Sequence, residues 1–394
     1  MLSGVPLLET LILTVASVPH LIVRSREPDY CETHMLLADV FHRRETIRYV
    51  SELRRLMRQI VTTANGGVDV LRVEEKPDPI PKSGEVVVRV RAAGLNFADI
   101  LARQGLYPDG PPKPCVMGYE VSGIVETLGE GVNTNLMGKA VVALTRFGGQ
   151  SELVAVKATQ MFDKPESLTF EQAAAIPVNY LTAYALLLVM GSLHEAESVL
   201  IHNAGGGVGL AALDIAKKIG AVSYGTASPA KHKFLLERGL DHAIDYRNQD
   251  WLPVLKELTD GRGVELVIDP LGGGHWKKSY AALRHTGRLG MFGISAASAT
   301  GLQGKLKLLK AVIQIPWFHP FGLLNRNRGV FGLNLGHLWH EPEKVAVWMR
   351  DILRGVAEGW IRPYVDRAFS FAQVKDAHSY IEARKNTGKV VLVP

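Results

Sequence analysis

Val199-Leu200-Ile201-His202-Asn203-Ala204-Gly205-Gly206-Gly207-Val208-Gly209 runs from an apolar stretch straight into a turn almost free of side chains. A helical pattern, Leu210-Ala211-Ala212-Leu213-Asp214-Ile215-Ala216-Lys217-Lys218, follows at once. A buried parallel strand, a tight turn and a helix N-terminus, in that order, are what a dinucleotide pyrophosphate needs. Glycines let the backbone approach the phosphates, and the free N–H groups and positive dipole end of the helix face their charge. Such turns also serve as plain strand-to-helix connections, so the flanking sequence has to decide. Ala204 stands where the usual pattern opens on glycine, while Gly206 and Gly209 fill the other two positions.

Val222 to Thr226 reads as the next strand, and its end continues Ser228-Pro229-Ala230-Lys231. An NAD site usually places an acidic residue about 20 positions past the glycines, to accept from the ribose 2′-hydroxyl. Between Gly209 and Lys231 the only acid is Asp214, inside the first helix and expected to face elsewhere. Ser228 and Lys231 instead supply a hydroxyl and a cation suited to a 2′-phosphate. A charge-assisted hydrogen bond contributes about 1.5–3 kcal/mol, roughly ten- to a hundredfold in affinity. NADPH is therefore expected over NADH.

The chain has 394 residues and a net charge of +6, enough for one large or two ordinary domains. Lys305, Lys307 and Lys310 form one basic cluster, but no long basic run or aromatic-interleaved arginine tract exists, so nucleic-acid binding is not expected. Cys31 and Cys115 are the only cysteines, which excludes a disulfide framework and a Cys-rich zinc lobe and suits a reducing, cytoplasmic setting.

Residues 1–56 differ from the rest: the apolar run Leu2 to Val23 is broken by Pro6, Glu9, Pro19 and His20, and residues 43–58 are arginine-rich. These features fit neither a secretory signal nor a spanning helix. The expectation is a poorly ordered extension, with Met57 as the working start. Residues 57–180 read as short strands and proline-punctuated turns, including Glu85–Ala92, Val121–Glu126 and Ala140–Leu144, and imply a barrel-like catalytic domain. Residues 181–325 alternate strand and helix, which implies a doubly wound parallel sheet. Residues 326–394 end in Lys389-Val390-Val391-Leu392-Val393 and are expected to complete the first domain. Leu302 to Leu324 is open between a lid, a membrane-surface helix giving weak contact, a dimer element and simple packing. Pro316 and Pro320 disfavour one continuous helix there.

Several segments carry a family resemblance: Ala93-Gly94-Leu95-Asn96-Phe97-Ala98-Asp99-Ile100, Arg103-Gln104-Gly105-Leu106-Tyr107, Gly118-Tyr119-Glu120-Val121-Ser122-Gly123, Asn179-Tyr180-Leu181-Thr182-Ala183-Tyr184 and Val330-Phe331-Gly332-Leu333-Asn334-Leu335. From Met57 onward the chain resembles the zinc-free quinone oxidoreductase branch of the medium-chain dehydrogenase/reductase superfamily, and within it the vesicle amine transport protein homologues. The resemblance implies an α/β protein, a chaperonin-10-like β-barrel catalytic domain plus a doubly wound Rossmann domain. It implies NADPH, and a homodimer joined through the edge strands of the nucleotide domains, with Arg288 to Ser295 as that edge.

Zinc-dependent relatives carry Cys where this chain has Asn96 and His where it has Tyr119, so no metal is expected. Without a metal to polarise a carbonyl, hydride addition to an electron-poor acceptor is the easier chemistry. A quinone or α,β-unsaturated carbonyl needs only hydrogen-bond donors and a proton. Asn96 is a candidate donor or a helix cap, Tyr107 a candidate proton donor or cleft lining, and Asp99 the residue that orients their loop. The cofactor contacts comprise the turn itself (Ala204, Gly205, Gly206, Gly207, Val208, Gly209), Ser228, Lys231 and, from the resemblance, Tyr246 at the 2′-phosphate. The resemblance adds Asn179 and Thr182 ahead of the turn, and Phe331, Leu333 and Lys389 from the returning segment. The alternatives to a quinone or enal reductase are an enoyl-thioester reductase and a slow or non-catalytic NADPH-binding protein associated with vesicles or lipid.

Overall fold

A computed structural model describes residues 55–298 and 301–394. The expected N-terminal extension, up to residue 54, lies outside the described residues. Leu56–Pro394 is one compact unit. Its centre is a six-stranded parallel sheet in the order His242–Asp245, Val222–Ala227, Ser198–His202, Val264–Asp269, Leu283–Met291 and Gly329–Gly332. Both faces of the central strand are apolar because both are covered. Val199 and Ile201 pack into one core with Leu210 and Leu213 of the helix Gly207–Ile219, and Leu200 faces the other core with Trp251 and Leu255. The helix stops at Gly220, whose φ of 83° is left-handed.

A second, seven-stranded sheet contains Val365–Ser370, Lys389–Val393, Glu85–Leu95, Glu120–Leu128, Ala140–Leu144 and Met161–Asp163, with Leu153–Lys157 also paired to Glu85–Leu95. A three-stranded sheet, Leu71–Pro77, Leu56–Thr62 and Cys115–Val116, completes the barrel-like half. The alternation read in Glu85–Ala92 is real: Val86, Val88 and Val90 enter one core cluster, and Val87 enters a smaller one with Met57 and Leu153. The last strand pairs antiparallel with Ala93–Leu95, which sets Lys389 beside Asn96.

Two features depart from expectation. The strand Leu283–Met291 is flanked on both sides, so Arg288–Ser295 is not an edge of the parallel sheet; one edge is His242–Asp245, and the other, beside Leu283–Met291, is Gly329–Gly332. That four-residue strand begins and ends on glycine and carries little β signal of its own. It also places the return to the barrel sheet beyond residue 326, at Val365–Ser370 and Lys389–Val393. Between these parts the helices Gly301–Ile313 and Pro320–Arg326 are separate, as Pro316 and Pro320 required.

Candidate functional site

A cleft of about 1250 Å³ lies where the carboxyl ends of the parallel strands meet the barrel-like half. Ordinary ligand pockets run to roughly 300–1,000 Å³, so this one has room for a dinucleotide with a second molecule beside it. Gly205, Gly206, Gly207, Val208 and Gly209 line it, together with Asn179, Thr182, Ser228, Lys231, Tyr246, Leu333, Lys389, Asn96 and Tyr107.

The turn is built for close approach. No side chain caps Gly206, so the first N–H groups of the helix Gly207–Ile219 are left for a ligand at the cleft. A Cβ on Gly209 would lie 2.4 Å from the Asn203 carbonyl oxygen and 2.5 Å from that of Ala204. At Gly207 it would meet the Asn179 amide at 2.5 Å, and at Gly205 the Lys231 stem at 2.7 Å. Lys231 therefore lies across the turn. Its Nζ donates to the Asn386 carbonyl and, at 3.4 Å, to that of Arg384, while burial lowers its pKa. The Gly388 N–H donates to the Gly205 carbonyl at 2.8 Å, which ties the returning segment to the turn. These features fit an anionic dinucleotide.

At the barrel side, Asn96 is the N-cap of the helix Phe97–Gln104 and forms a capping box with Asp99, whose carboxylate accepts from the Asn96 N–H. Its Nδ2 donates to Glu120 Oε1 at 2.9 Å, and its Oδ1 accepts from Lys389 Nζ at 2.7 Å. Lys389 also pairs with Glu120, which accepts further from the Val178 N–H at 2.8 Å. All three side chains are buried. Asp99 serves the loop: it is fully buried and accepts from the backbone N–H groups of Asn96 and Gly118 at 2.8 and 3.1 Å. Burial raises its carboxyl to about 7, against those N–H groups and Lys389.

Two phenols face the cleft edge to face, with ring centres 6.5 Å apart. Tyr107 donates to Asn334 Oδ1 at 3.3 Å, and burial with Asp109 and Asp99 nearby pushes it to about 12. Tyr119, raised further by burial, has a buried hydroxyl without a partner among the described residues. An amide, a phenol and a carboxylate already neutralised by Lys389 do not fit the ligand set of a catalytic zinc.

Three expected contacts lie elsewhere. Phe331 packs its ring over Gly290 instead of lining the cleft, because the strand Gly329–Gly332 turns it into the core. Ala204 is buried beneath the turn against Gly225. Asp99 sits behind the cleft wall, away from any reacting atom. Sequence reading did not single out Asn334, although it lies in one of the family segments, nor Arg384 and Asn386, which arrive from a loop with no motif. It also missed a group under the turn. Asp269 accepts from His275 Nδ1 and Ser279 Oγ, both at 2.6 Å, and Ser279 Oγ lies 3.2 Å from His202 Nε2. The His202, Asp269 and His275 atoms lie within 4.8 Å of one another, as metal ligands would, but here Asp269 bonds His275 and Ser279, and His202 bonds Ser279 and Thr226. Burial holds His202 down to about 3, so it stays neutral. The endings of two apolar runs in His202 and Asp269 were its only sequence signal.

Comparison with known proteins agrees with this arrangement. Residues 82–166 match the alcohol dehydrogenase GroES-like domain, and residues 238–392 match the zinc-binding dehydrogenase domain. The human synaptic vesicle membrane protein VAT-1 homolog is 40% identical over 347 residues, 86% of this chain and 87% of that protein. Escherichia coli quinone oxidoreductase complexed with NADPH superposes with a TM-score of 0.75 at 31% identity, covering 86% of this chain and 100% of that one. The CurK enoyl reductase superposes with a TM-score of 0.74 at 26% identity, covering 86% and 99%.

Proposed function

Because the chain belongs to the medium-chain dehydrogenase/reductase superfamily, among VAT-1 homologues and quinone oxidoreductases, we propose that it is a zinc-independent, NADPH-dependent reductase of quinones or α,β-unsaturated carbonyls. The uncapped helix N-terminus behind a turn that admits no Cβ at Gly209 supports the cofactor, and the Tyr119 hydroxyl, unpartnered among the described residues and beside Tyr107 in the same cleft, carries the reductase.

When bound, NADPH supplies the hydride. The N–H groups of Gly207, Val208 and Gly209 would hold the pyrophosphate, and Ser228, Lys231 and Tyr246 would hold the 2′-phosphate. Asn179, Thr182 and Leu333, which line the same cleft, would flank the nicotinamide. Tyr107 keeps its proton at any working pH, so it donates to the acceptor oxygen and does not act as a base. Tyr119 adds a second hydroxyl with no competing partner among the described residues. Asn96 retains one amide N–H beyond its bond to Glu120, and the Lys389–Glu120 pair fixes its direction. Together these donors stabilise the enolate or phenolate oxygen that hydride addition creates. Apolar walls from Leu95, Phe97, Leu144, Phe162, Leu338 and Trp339 exclude water and suit a bulky, weakly polar acceptor.

NADPH consumption, followed by its absorbance with a quinone, an enal and an enoyl thioester in parallel, tests the reading. Turnover with the quinone or enal supports it. Turnover only with the thioester selects the enoyl reductase alternative, and none with any of the three removes the reductase.

A further inference from the structure

His202 ends the strand Ser198–His202, and Asp269 ends its neighbour Val264–Asp269, each one position past the paired Ile201 and Ile268. His275 and Ser279 stand one turn apart on the helix Gly274–Ala281 that follows. Parallel pairing and helix periodicity together bring two imidazoles, a carboxylate and a hydroxyl to one point at the floor of the cleft. Among the described residues this is the only place where three histidine, cysteine or carboxylate ligand atoms converge within 4.8 Å of one another.

Two of these ligands are aimed from behind. His202 Nδ1 is taken by Thr226 Oγ1 at 3.0 Å, which leaves Nε2 facing the cluster. Asp269 Oδ1 accepts from the Leu271 N–H at 2.7 Å, which leaves Oδ2 facing it. Outer partners of this kind fix ring and carboxylate direction in metal sites. In a tetrahedral zinc site, bonds of about 2.0 Å set neighbouring ligand atoms about 3.3 Å apart. Ser279 Oγ already stands 3.2 Å from His202 Nε2 and 3.3 Å from His275 Nδ1. Asp269 Oδ2 is nearer, 2.6 Å from both His275 Nδ1 and Ser279 Oγ. A metal entering between Asp269 and His275 would open their contact by about 0.7 Å and shift His275 to its Nε2–H tautomer. The His275 side chain is 22% exposed and has room for that movement, while Asp269 and Ser279 are held fast. Both imidazoles line the cleft, which gives an ion its way in. Two ring nitrogens with two oxygens suit zinc, whereas magnesium and calcium take oxygen shells.

We propose that His202, Asp269, His275 and Ser279 bind one zinc-class divalent ion, which ties the ends of two parallel strands to the helix Gly274–Ala281. The site is separate from Asn96 and Tyr119, where metal-dependent relatives place their ligands, and it does not rest on any reductase activity. The test titrates the chelator-treated full chain with Zn2+ by calorimetry and with Co2+ by visible absorption, with Mg2+ for comparison. Three variants accompany it: His275→Ala, Asp269→Asn, and His337→Ala as a control for binding at an exposed histidine beside a carboxylate. The expected result is one Zn2+ per chain at about 1 μM or tighter, an intense four-coordinate Co2+ band, a melting temperature raised by Zn2+, and no response to Mg2+. His275→Ala and Asp269→Asn should each weaken Zn2+ about a hundredfold or more, and His337→Ala should leave it unchanged. Where Asp269→Asn fails to fold, His275→Ala decides alone, since its side chain is the least buried of the three metal-binding groups. No saturable Zn2+ binding by about 0.1 mM, the weak band of hydrated Co2+, or an affinity within about threefold of the parent chain in His275→Ala overturns the proposal. So does loss of binding in His337→Ala, which would place the ion on the surface.

Discussion

Replacing Lys389 with methionine keeps the length of the side chain and removes its charge, which leaves the Glu120 carboxylate buried without its cation. Lys389 is 3% exposed and Glu120 fully buried, and the two are in direct contact. Glu120 would keep the Asn96 Nδ2 and Val178 N–H donors, at 2.9 and 2.8 Å, but no counter-charge. Breaking a buried pair on one side costs about 3–5 kcal/mol, whereas replacing both partners by neutral groups costs far less. Lys389 lies on the last strand, which pairs with Ala93–Leu95 and Val365–Ser370. The loss should therefore appear there first. Amide hydrogen exchange along Glu85–Leu95 and Lys389–Val393 should accelerate by about a hundred- to a few thousandfold in Lys389→Met. Adding Glu120→Gln should restore at least roughly half of that loss in free energy. Acceleration below about tenfold in the single variant, or strictly additive losses in the double one, would refute the claim that a buried ion pair anchors the site.

Four other outcomes follow from the same geometry. Gly209→Ala forces the turn off the Asn203 and Ala204 carbonyls and should weaken NADPH about tenfold or more by titration calorimetry. Lys231→Ala should weaken NADPH about ten- to a hundredfold and leave NADH unchanged, which competitive binding of the two cofactors reads directly. Tyr119→Phe removes a buried hydroxyl without a partner, so thermal stability should hold or rise while kcat/KM falls about three- to tenfold. Asp99, raised to about 7 by burial, keeps its proton in the folded chain where the unfolded chain has already released it. Its contribution should make stability fall as pH rises from about 4 to about 7 and level off above that; Asp99→Asn should flatten this slope in denaturation series across that window.

The parallel sheet was legible in the sequence because Val199, Leu200 and Ile201 are apolar on both faces and run into Gly205–Gly209, so periodicity and turn chemistry agree. The strand Gly329–Gly332 was not legible, because its two glycines mask two short apolar positions whose strand character comes from pairing with Arg288–Met291. The cofactor side of the site follows local rules, and Ser228 and Lys231 could be placed by their distance past the turn. The catalytic side depends on side chains far apart in sequence. Nothing local says that Lys389 reaches back to Asn96 and Glu120, or that Asn334 meets Tyr107. The resemblance supplied Lys389 but not its partners. Nor did local sequence orient Asn96: its cap reading and its donor reading were both open, and Asn96 both starts the helix in a capping box with Asp99 and has its amide bonded to Glu120 and Lys389.

Hydride transfer within this cleft is the central claim, and the fate of the nicotinamide hydrogen tests it most directly. With NADPH deuterated at the transferable position and a quinone or enal as acceptor, mass spectrometry of the enal product should show the deuterium bound to carbon. For the quinone, where exchange erases the label, a slowed rate of NADPH oxidation should report it. An enal product free of label, together with oxidation rates indifferent to deuteration in single-turnover measurements, would contradict direct transfer and the account built on it.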